Sequence, residues 1–115
     1  MIGTNNTGMH TIEEILGGVD AICGELRGRI PGVKILLLGI FPRGKTPDAN
    51  RTKIAAINGK LAGFGGATYL DIGQAFLEPD GSIPVEVLYD YLHPTAEGYL
   101  RWAEAMEPTL AGLLN

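Results

Sequence analysis

The stretch that decides the fold is residues 33–42, VKILLLGIFP. It is a nearly continuous apolar run and includes the β-branched residues Val33, Ile35 and Ile40. A strand that is apolar on both faces belongs in a parallel sheet covered by helices on both sides, because neither face can be left in water. The stretch therefore predicts a buried strand in an α/β protein.

Helical patterns lie on both sides of this strand in the sequence. Residues 11–30 place apolar side chains three and four positions apart, which predicts an amphipathic helix. Thr11 and Glu14 have the spacing of a capping box at its start. The apolar stripe consists of Ile12, Ile15, Leu16, Val19, Ile22, Cys23, Leu26 and Ile30. Residues 48–64 predict a second helix, whose stripe is Ile54, Ile57, Leu61 and Phe64.

The rest of the chain completes an alternating pattern. Residues 67–73, ATYLDIG, predict a second and shorter strand, and a last helix is predicted from about residue 94 to residue 114. Pro108 should kink or divide that helix. Its predicted core-facing residues are Tyr99, Trp102, Ala103, Met106, Leu110 and Leu113. The first six residues, MIGTNN, resemble the end of another strand that runs into a loop. Alternation of helix and strand predicts half of a doubly wound α/β fold.

Composition excludes several classes of protein. The chain has 115 residues, 45% of them hydrophobic, and a formal charge of -4, which argues against nucleic acid as a partner. Its longest apolar run is too short to span a membrane and contains Lys34. With Cys23 as the only cysteine, no disulfide or thiolate zinc cluster can form within the chain, and no other group of side chains has metal-ligand spacing. The compartment stays open, although one cysteine and the absence of a signal-peptide pattern favour the cytoplasm.

Polar residues follow each predicted strand, at the edge where open α/β sheets bind ligands. Among them, Asp90 and His93 stand three residues apart, and Pro94 keeps His93 out of a helical conformation. The carboxylate can therefore hold the imidazole Nδ1 and leave Nε2 free to act as a base. The alternative is a helix-entry motif in which both side chains make only local capping bonds, and spacing alone favours that alternative.

Asn5 and Asn6 follow the first predicted strand end. An Asn amide at such a position can donate a hydrogen bond to an oxyanion, although Asn and Gly are also common turn formers. The sequence GTNNTG is not a phosphate loop, since it lacks the lysine and the glycine spacing of one. Arg43 and Lys45, which follow the long apolar run, read as solvated loop residues, with contact to a substrate as the alternative.

Several of these segments, taken in order, resemble the SGNH (GDSL-type) hydrolases, in the branch of esterases like platelet-activating-factor acetylhydrolase. The segments are MIGTNNTG, KILLLGIFPRG, LDIG, DGSI and DYLHPTAEGY. The resemblance implies a flavodoxin-like three-layer α/β/α fold with a parallel sheet. It also implies hydrolysis of small acyl esters by a Ser-His-Asp triad, without metal or cofactor. His93 matches the catalytic base, Asp90 its orienting acid and Asn5 the oxyanion-hole donor.

Two motifs of the family are missing from residues 1–115. In the family, the nucleophilic serine lies in a GDS motif near the N-terminus, and a glycine in a later motif is a second oxyanion donor. Neither motif is found ahead of MIGTNN in residues 1–115. The only serine is Ser82, in PDGSIP, which reads as a turn residue. We therefore expect residues 1–115 to be the C-terminal portion of such a hydrolase domain. We also expect an exposed sheet edge and exposed apolar helix surface. The chain should therefore self-associate, pair with a complementing N-terminal segment, or be only part of the native polypeptide.

Three functions remain open from the sequence. The first is a carboxylic-ester hydrolase of which this chain supplies the Asn, Asp and His. The second is a non-catalytic α/β module that binds a partner chain or an acylated ligand. The third, a small nucleotide or flavin binder, is disfavoured because no phosphate loop is recognisable.

Overall fold

Helices alternate with short strands along the whole chain. The computed structural model describes residues 1–115. Helix α1 spans Ile12–Arg29, strand β1 Leu36–Leu38, helix α2 Ala49–Leu61, strand β2 Thr68–Leu70 and helix α3 Ala96–Leu114. Two 3-10 turns are added, at Thr4–Asn6 and Gly73–Phe76. The order of elements predicted from the sequence is therefore confirmed.

The two strands form a parallel pair. Leu36 lies opposite Thr68 and Leu38 opposite Leu70. β1 is shorter than the predicted strand, and its residues are half-buried rather than buried. The reason is that β1 has a neighbour on one side only, so the backbone of its other edge makes no ladder hydrogen bonds.

Apolar clusters cover both faces of this sheet. One cluster joins α1 and α2 through residues such as Val19, Ile54 and Ile57, and Leu37 packs against it. The other contains Phe41, Phe76 and Leu88 together with Trp102 of α3, and Leu38 packs against it. Consecutive residues of a strand point to opposite faces, so adjacent leucines of β1 serve different cores. The result is a three-layer α/β/α arrangement.

Helix α1 begins as the sequence predicts. The Thr11 hydroxyl accepts from the Glu14 backbone N–H, and the Glu14 carboxylate accepts from the Thr11 N–H, which completes the capping box. Its apolar stripe is only partly buried: Ile22, Leu26 and Ile30 are 47%, 38% and 51% exposed. No element of this chain covers that end of the stripe, so these three side chains stay in contact with solvent.

Helix α3 also departs from its prediction. Tyr99 and Ala103 lie exposed instead of facing the core. Of the two outcomes predicted for Pro108, a kink or a division, the division is absent, since the helix is continuous through this residue. The only buried residue of α3 is Gly98. A Cβ there would collide with the Val87 carbonyl and lie 3.1 Å from the Pro94 Cβ. This glycine lets α3 lie directly against the segment that carries Asp90 and His93.

No strand forms at residues 1–6. Met1 and Ile2 are exposed and the chain turns into the 3-10 turn Thr4–Asn6. A strand needs a hydrogen-bonded neighbour, and none is present at this position in the chain. None of the helices combines the length and apolar character needed to cross a membrane.

A buried asparagine of α2 fixes the chain where it leaves β1. Asn58 Oδ1 accepts from the Ile40 N–H at 2.7 Å, and Asn58 Nδ2 donates to the Ile40 carbonyl at 2.9 Å. Both residues are buried, so no solvent can replace these two bonds. The loop that follows Ile40 therefore leaves the sheet at a defined position.

We predict that Asn58→Leu lowers the free energy of unfolding by about 2–4 kcal/mol, because two buried backbone groups lose their partners. The neighbouring substitution Gly59→Ala is the control. Its new methyl group meets nothing within 4 Å, and it should stabilise the helix by about 0.5–1 kcal/mol. Urea denaturation of the three proteins measures both changes. A loss below 1 kcal/mol in Asn58→Leu would contradict the assigned role.

Candidate active site

A closed loop at residues 88–94 presents the acid and the imidazole. Leu88 and Pro94 form an isolated antiparallel bridge, and the Tyr89 N–H donates to the His93 carbonyl at 3.2 Å. Tyr91, at the tip, has a φ of 61°, a left-handed conformation that is strained for a residue with a side chain. This loop, the His93 loop, is therefore held at both ends and bent sharply between them.

Asp90 binds His93 in two ways. Its Oδ2 lies 2.6 Å from the His93 Nδ1, and its Oδ1 accepts from the His93 backbone N–H at 2.7 Å. Oδ1 also accepts from the Leu92 N–H at 3.1 Å. Both interpretations of this motif therefore have a structural counterpart, since Asp90 makes local backbone bonds and also holds the imidazole. The helix cap itself is Thr95.

These hydrogen bonds determine whether the Asp90 carboxyl is ionised and which ring nitrogen of a neutral His93 carries the proton. The hydrogen bonds from the His93 backbone and ring lower the pKa of Asp90, so the carboxylate is ionised at neutral pH. An ionised carboxylate only accepts hydrogen bonds, so the proton of a neutral imidazole must lie on Nδ1. The other ring nitrogen, Nε2, is then left as an acceptor. The Tyr89 ring stacks near the imidazole, with ring centroids 5.9 Å apart.

Asn5 lies on the 3-10 turn Thr4–Asn6, which we call the Asn5 turn. The Asn6 N–H donates to the Gly3 carbonyl, and the Thr7 hydroxyl donates to the Thr4 carbonyl at 2.9 Å. The turn conformation that the sequence offered as an alternative is therefore present. The Asn5 side chain remains exposed, however, and stays available as a donor.

One cavity brings the Asn5 turn and the His93 loop together. It has a volume of about 250 Å³, and its lining includes Asn5, Leu92, His93, Tyr99 and Trp102. The sequence predicts that Asn5 and His93 lie at the same edge of the sheet, and in the structure both line this cavity. Larger hollows exist elsewhere on the surface, but they do not contact this pair of residues.

Sequence reasoning missed several residues of this region. Thr4 lines the cavity with a buried hydroxyl that has no hydrogen-bond partner in the chain. Arg43, which we expected to be solvated, is half-buried and donates to the Thr4 carbonyl at 2.9 Å. Lys45 is exposed as expected. A threonine and an arginine carry no distinctive spacing, so only their tertiary contacts identify them.

The only serine does not reach this site. The Ser82 hydroxyl donates to Asp80 Oδ1 at 2.6 Å, and this bond lowers the pKa of Asp80. Gly81, between them, has a φ of +83°, as a tight turn requires. The structure thus places Ser82 in the predicted turn.

The arrangement around His93 offers a base, an orienting acid and a nearby amide donor to a reaction centre.

Several known proteins are similar to this chain. Residues 1–101 match the profile of the GDSL-like Lipase/Acylhydrolase family. Platelet-activating factor acetylhydrolase IB subunit alpha1 of Bos taurus is 38% identical over 118 residues, and the alignment covers 99% of this chain and 50% of that protein. Subunit alpha2 of Rattus norvegicus is 35% identical over 99% of this chain and 51% of its own. The chain thus spans about half the length of the curated relatives it matches.

Solved structures show the same fold. A protein from Streptococcus pneumonia named for platelet activating factor superposes with a TM-score of 0.83 at 21% identity, covering 96% of this chain and 57% of that one. A GDSL-like lipase from Bacteroides thetaiotaomicron gives a TM-score of 0.78 at 16% identity, covering 96% and 59%. The flavodoxin-like α/β/α fold expected from the sequence is confirmed. Sequence profile, relatives and fold together show that the chain belongs to the GDSL-like lipase/acylhydrolase family.

Proposed function

We propose that this chain supplies the base, the orienting acid and one oxyanion donor of a carboxylic-ester hydrolase. The observation that carries the proposal is the 2.6 Å contact between Asp90 Oδ2 and His93 Nδ1, at a cavity that Asn5 also lines. Membership of a family of lipases and acylhydrolases supports ester hydrolysis as the reaction class. The triad is completed by a serine that residues 1–115 do not provide.

The first half of the reaction forms an acyl-enzyme. The serine hydroxyl attacks the ester carbonyl, and its proton passes to His93 Nε2. Asp90 stabilises the resulting imidazolium through Nδ1. The oxyanion of the tetrahedral intermediate accepts a hydrogen bond from the Asn5 amide. The intermediate then collapses, and the departing alkoxide takes the proton from His93 and leaves as the alcohol.

The second half releases the acid. His93 Nε2 takes a proton from a water molecule, whose oxygen attacks the acyl carbon. The second tetrahedral intermediate again places its oxyanion beside Asn5. Its collapse returns the proton to the serine oxygen and frees the carboxylic acid. Loss of one oxyanion donor of this kind lowers kcat by about 10²–10³-fold.

We propose a short acyl group, with acetate as the reference case. The cavity beside His93 has only about 250 Å³, and apolar side chains such as Leu92 and Trp102 line it. The relatives of 35–38% identity carry acetylhydrolase in their names. A short acyl chain fits within such a volume.

The serine arrives, in this proposal, on a complementing N-terminal segment. Support comes from the relatives, of whose length this chain spans half. It also comes from an open groove of about 270 Å³ along the free edge of β1, in which twelve of thirteen lining residues are hydrophobic. We call this the apolar groove. Its walls include Ile2, Val19, Ile22, Leu26, Leu36 and Trp102.

The shape of the apolar groove suits a strand with an attached helix. The free edge of β1 offers unpaired N–H and C=O groups to a parallel strand. Ile22 and Leu26 of α1 offer exposed apolar surface beside it to the helix that follows such a strand. Trp102 lines both the apolar groove and the His93 cavity, so the two are adjacent. A segment seated in the apolar groove can therefore bring a serine close to His93.

The esterase prediction is tested with p-nitrophenyl acetate. We expect negligible turnover by residues 1–115 alone, since deletion of the nucleophile of a triad costs about 10⁶-fold in kcat. Activity should appear when a GDS-bearing N-terminal segment of a relative is added. It should vanish in His93→Ala and persist in His10→Ala, which alters the chain's other histidine.

Three outcomes would contradict this assignment. Activity of the chain alone that disappears in His93→Ala would show that another nucleophile exists, and Ser82→Ala would then be measured. Activity that survives His93→Ala would remove His93 from the mechanism. A folded but inactive complex would favour the non-catalytic binding module.

The lowered pKa of Asp90 predicts that the stability of the folded chain depends on pH. This pKa lies below the ordinary value of 3.8 in the folded chain, so the contribution of Asp90 is fully present above pH 3.8 and is lost as the pH falls through the lower, folded-state pKa. NMR titration of the side-chain carboxyl carbon should give a midpoint below 3.8. His93→Ala should raise that midpoint only in part, because the backbone N–H of residue 93 remains. A midpoint at or above 3.8 in the unmodified chain would contradict the geometry.

The groove prediction uses a charged substitution. Ile22→Glu should abolish binding of the complementing segment, because it places a carboxylate on the apolar wall. Leu114→Glu is the matched control, since Leu114 is 76% exposed and lies outside the apolar groove. Analytical ultracentrifugation measures both. If the unmodified chain forms dimers and Ile22→Glu dissociates them, the apolar groove is instead occupied by a second copy of this chain.

A further inference from the structure

A two-residue segment connects the two halves of the candidate site. Arg43 Nη1 donates to the Thr4 carbonyl at 2.9 Å, and this carbonyl belongs to the peptide unit that leads into Asn5. The next residue, Gly44, donates its backbone N–H to the Tyr91 carbonyl at 2.9 Å, inside the His93 loop. We call residues 43–44 the bridging segment. It therefore makes one hydrogen bond to each half of the candidate site.

One guanidinium group holds the bridging segment in place. Arg51, on the first turn of α2, donates from Nε to the Arg43 carbonyl at 3.0 Å and from Nη2 to the Gly44 carbonyl at 2.6 Å. Its Nη1 donates to the Gly81 carbonyl. Arg51 is half-buried, and burial lowers its pKa while the nearby Asp48 carboxylate opposes that effect. A guanidinium has several donors in one rigid plane, which suits three carbonyls better than the ammonium of lysine does.

Both ends of this connection are conformationally demanding. Tyr91 has a φ of 61°, which persists only when its surroundings enforce it. Gly44 has a φ of +84°, and a Cβ there would lie 3.2 Å from Asp48 Oδ2. Glycine adopts such a φ readily, so Gly44 meets this requirement without strain, whereas Tyr91 does not. The strained residue is therefore the one whose carbonyl accepts from the bridging segment that Arg51 holds.

We propose that Arg51 is a positioning residue that couples the Asn5 turn to the His93 loop through the bridging segment. This inference rests on the proposed function for its catalytic consequence, but the coupling itself is a property of the chain. Catalytic groups must be held within about 0.5 Å of the productive geometry, so a loosened bridging segment would misplace donor and base together.

Lys53 provides an internal comparison. Its Nζ donates to the Thr7 carbonyl at 2.7 Å and to the His10 carbonyl at 2.5 Å, both in the segment that follows Asn5. It makes no hydrogen bond to the bridging segment or the His93 loop. Loss of Lys53 should therefore disturb the segment that follows Asn5 alone, whereas loss of Arg51 should disturb both halves of the site.

Hydrogen exchange measured by NMR on residues 1–115 tests the coupling without any need for activity. In Arg51→Met the amide of Gly44, which donates to Tyr91, should exchange at least about tenfold faster, while core amides such as that of Ile57 keep their rates. Arg29→Met is the control, since Arg29 forms only an exposed pair with Glu25 and should leave Gly44 unchanged. Lys53→Met should also leave Gly44 unchanged. If Arg51→Met fails to fold, Arg51→Lys takes its place and should give a smaller acceleration.

Two results would overturn the proposal. One is unchanged exchange of Gly44 in Arg51→Met, and the other is an equal acceleration of Gly44 and of core amides, which would mean global destabilisation. In the complemented enzyme we expect kcat for p-nitrophenyl acetate to fall about 10–100-fold in Arg51→Met with KM nearly unchanged, and Arg51→Lys to recover part of it. Unchanged kcat would overturn the catalytic role. If the complemented enzyme is inactive throughout, the proposed function fails, and hydrogen exchange still decides the coupling.

Discussion

The strand Leu36–Leu38 imposes the constraint on which the rest of the structure depends, because its side chains are apolar on both faces. Leu37 packs into one apolar cluster and Leu38 into the other, so helices or loops have to cover both sides of the sheet. Parallel pairing with β2 follows from this layered arrangement. It brings the carboxyl ends of the strands to one edge, and the loops that leave this edge carry the candidate site.

The candidate site is positioned mainly by hydrogen bonds to backbone groups. Asn58 binds the backbone of Ile40, and Arg43 binds the carbonyl of Thr4 that precedes Asn5. Arg51 binds the backbone of the bridging segment. Backbone groups are fixed in number and direction, so bonds to them position a loop more tightly than contacts between long side chains do. In this chain, α2 supplies the rigid support and the loops supply the chemistry.

The same constraint accounts for the surface that remains open. β1 is paired on one edge only, and Ile22 and Leu26 extend the exposed apolar surface beside the other edge. The alignments cover nearly all of this chain and about half of each curated relative. The open edge is the surface on which the complementing segment of the proposed function pairs. In the proposed enzyme, completion of the sheet and completion of the triad are one event.

The sequence by itself determined the class of the fold and the identity of the candidate pair. Periodicity gave the helices and strands because burial of one face leaves a regular pattern, and the spacing of Asp90 and His93 allowed their contact because it is local. Only the tertiary structure decided that Tyr99 lies exposed and that β1 is half-buried. Only it revealed that Arg43 and Arg51 connect the Asn5 turn to the His93 loop. Those facts depend on residues distant in sequence, and a burial pattern says which face is apolar without saying which segment covers it.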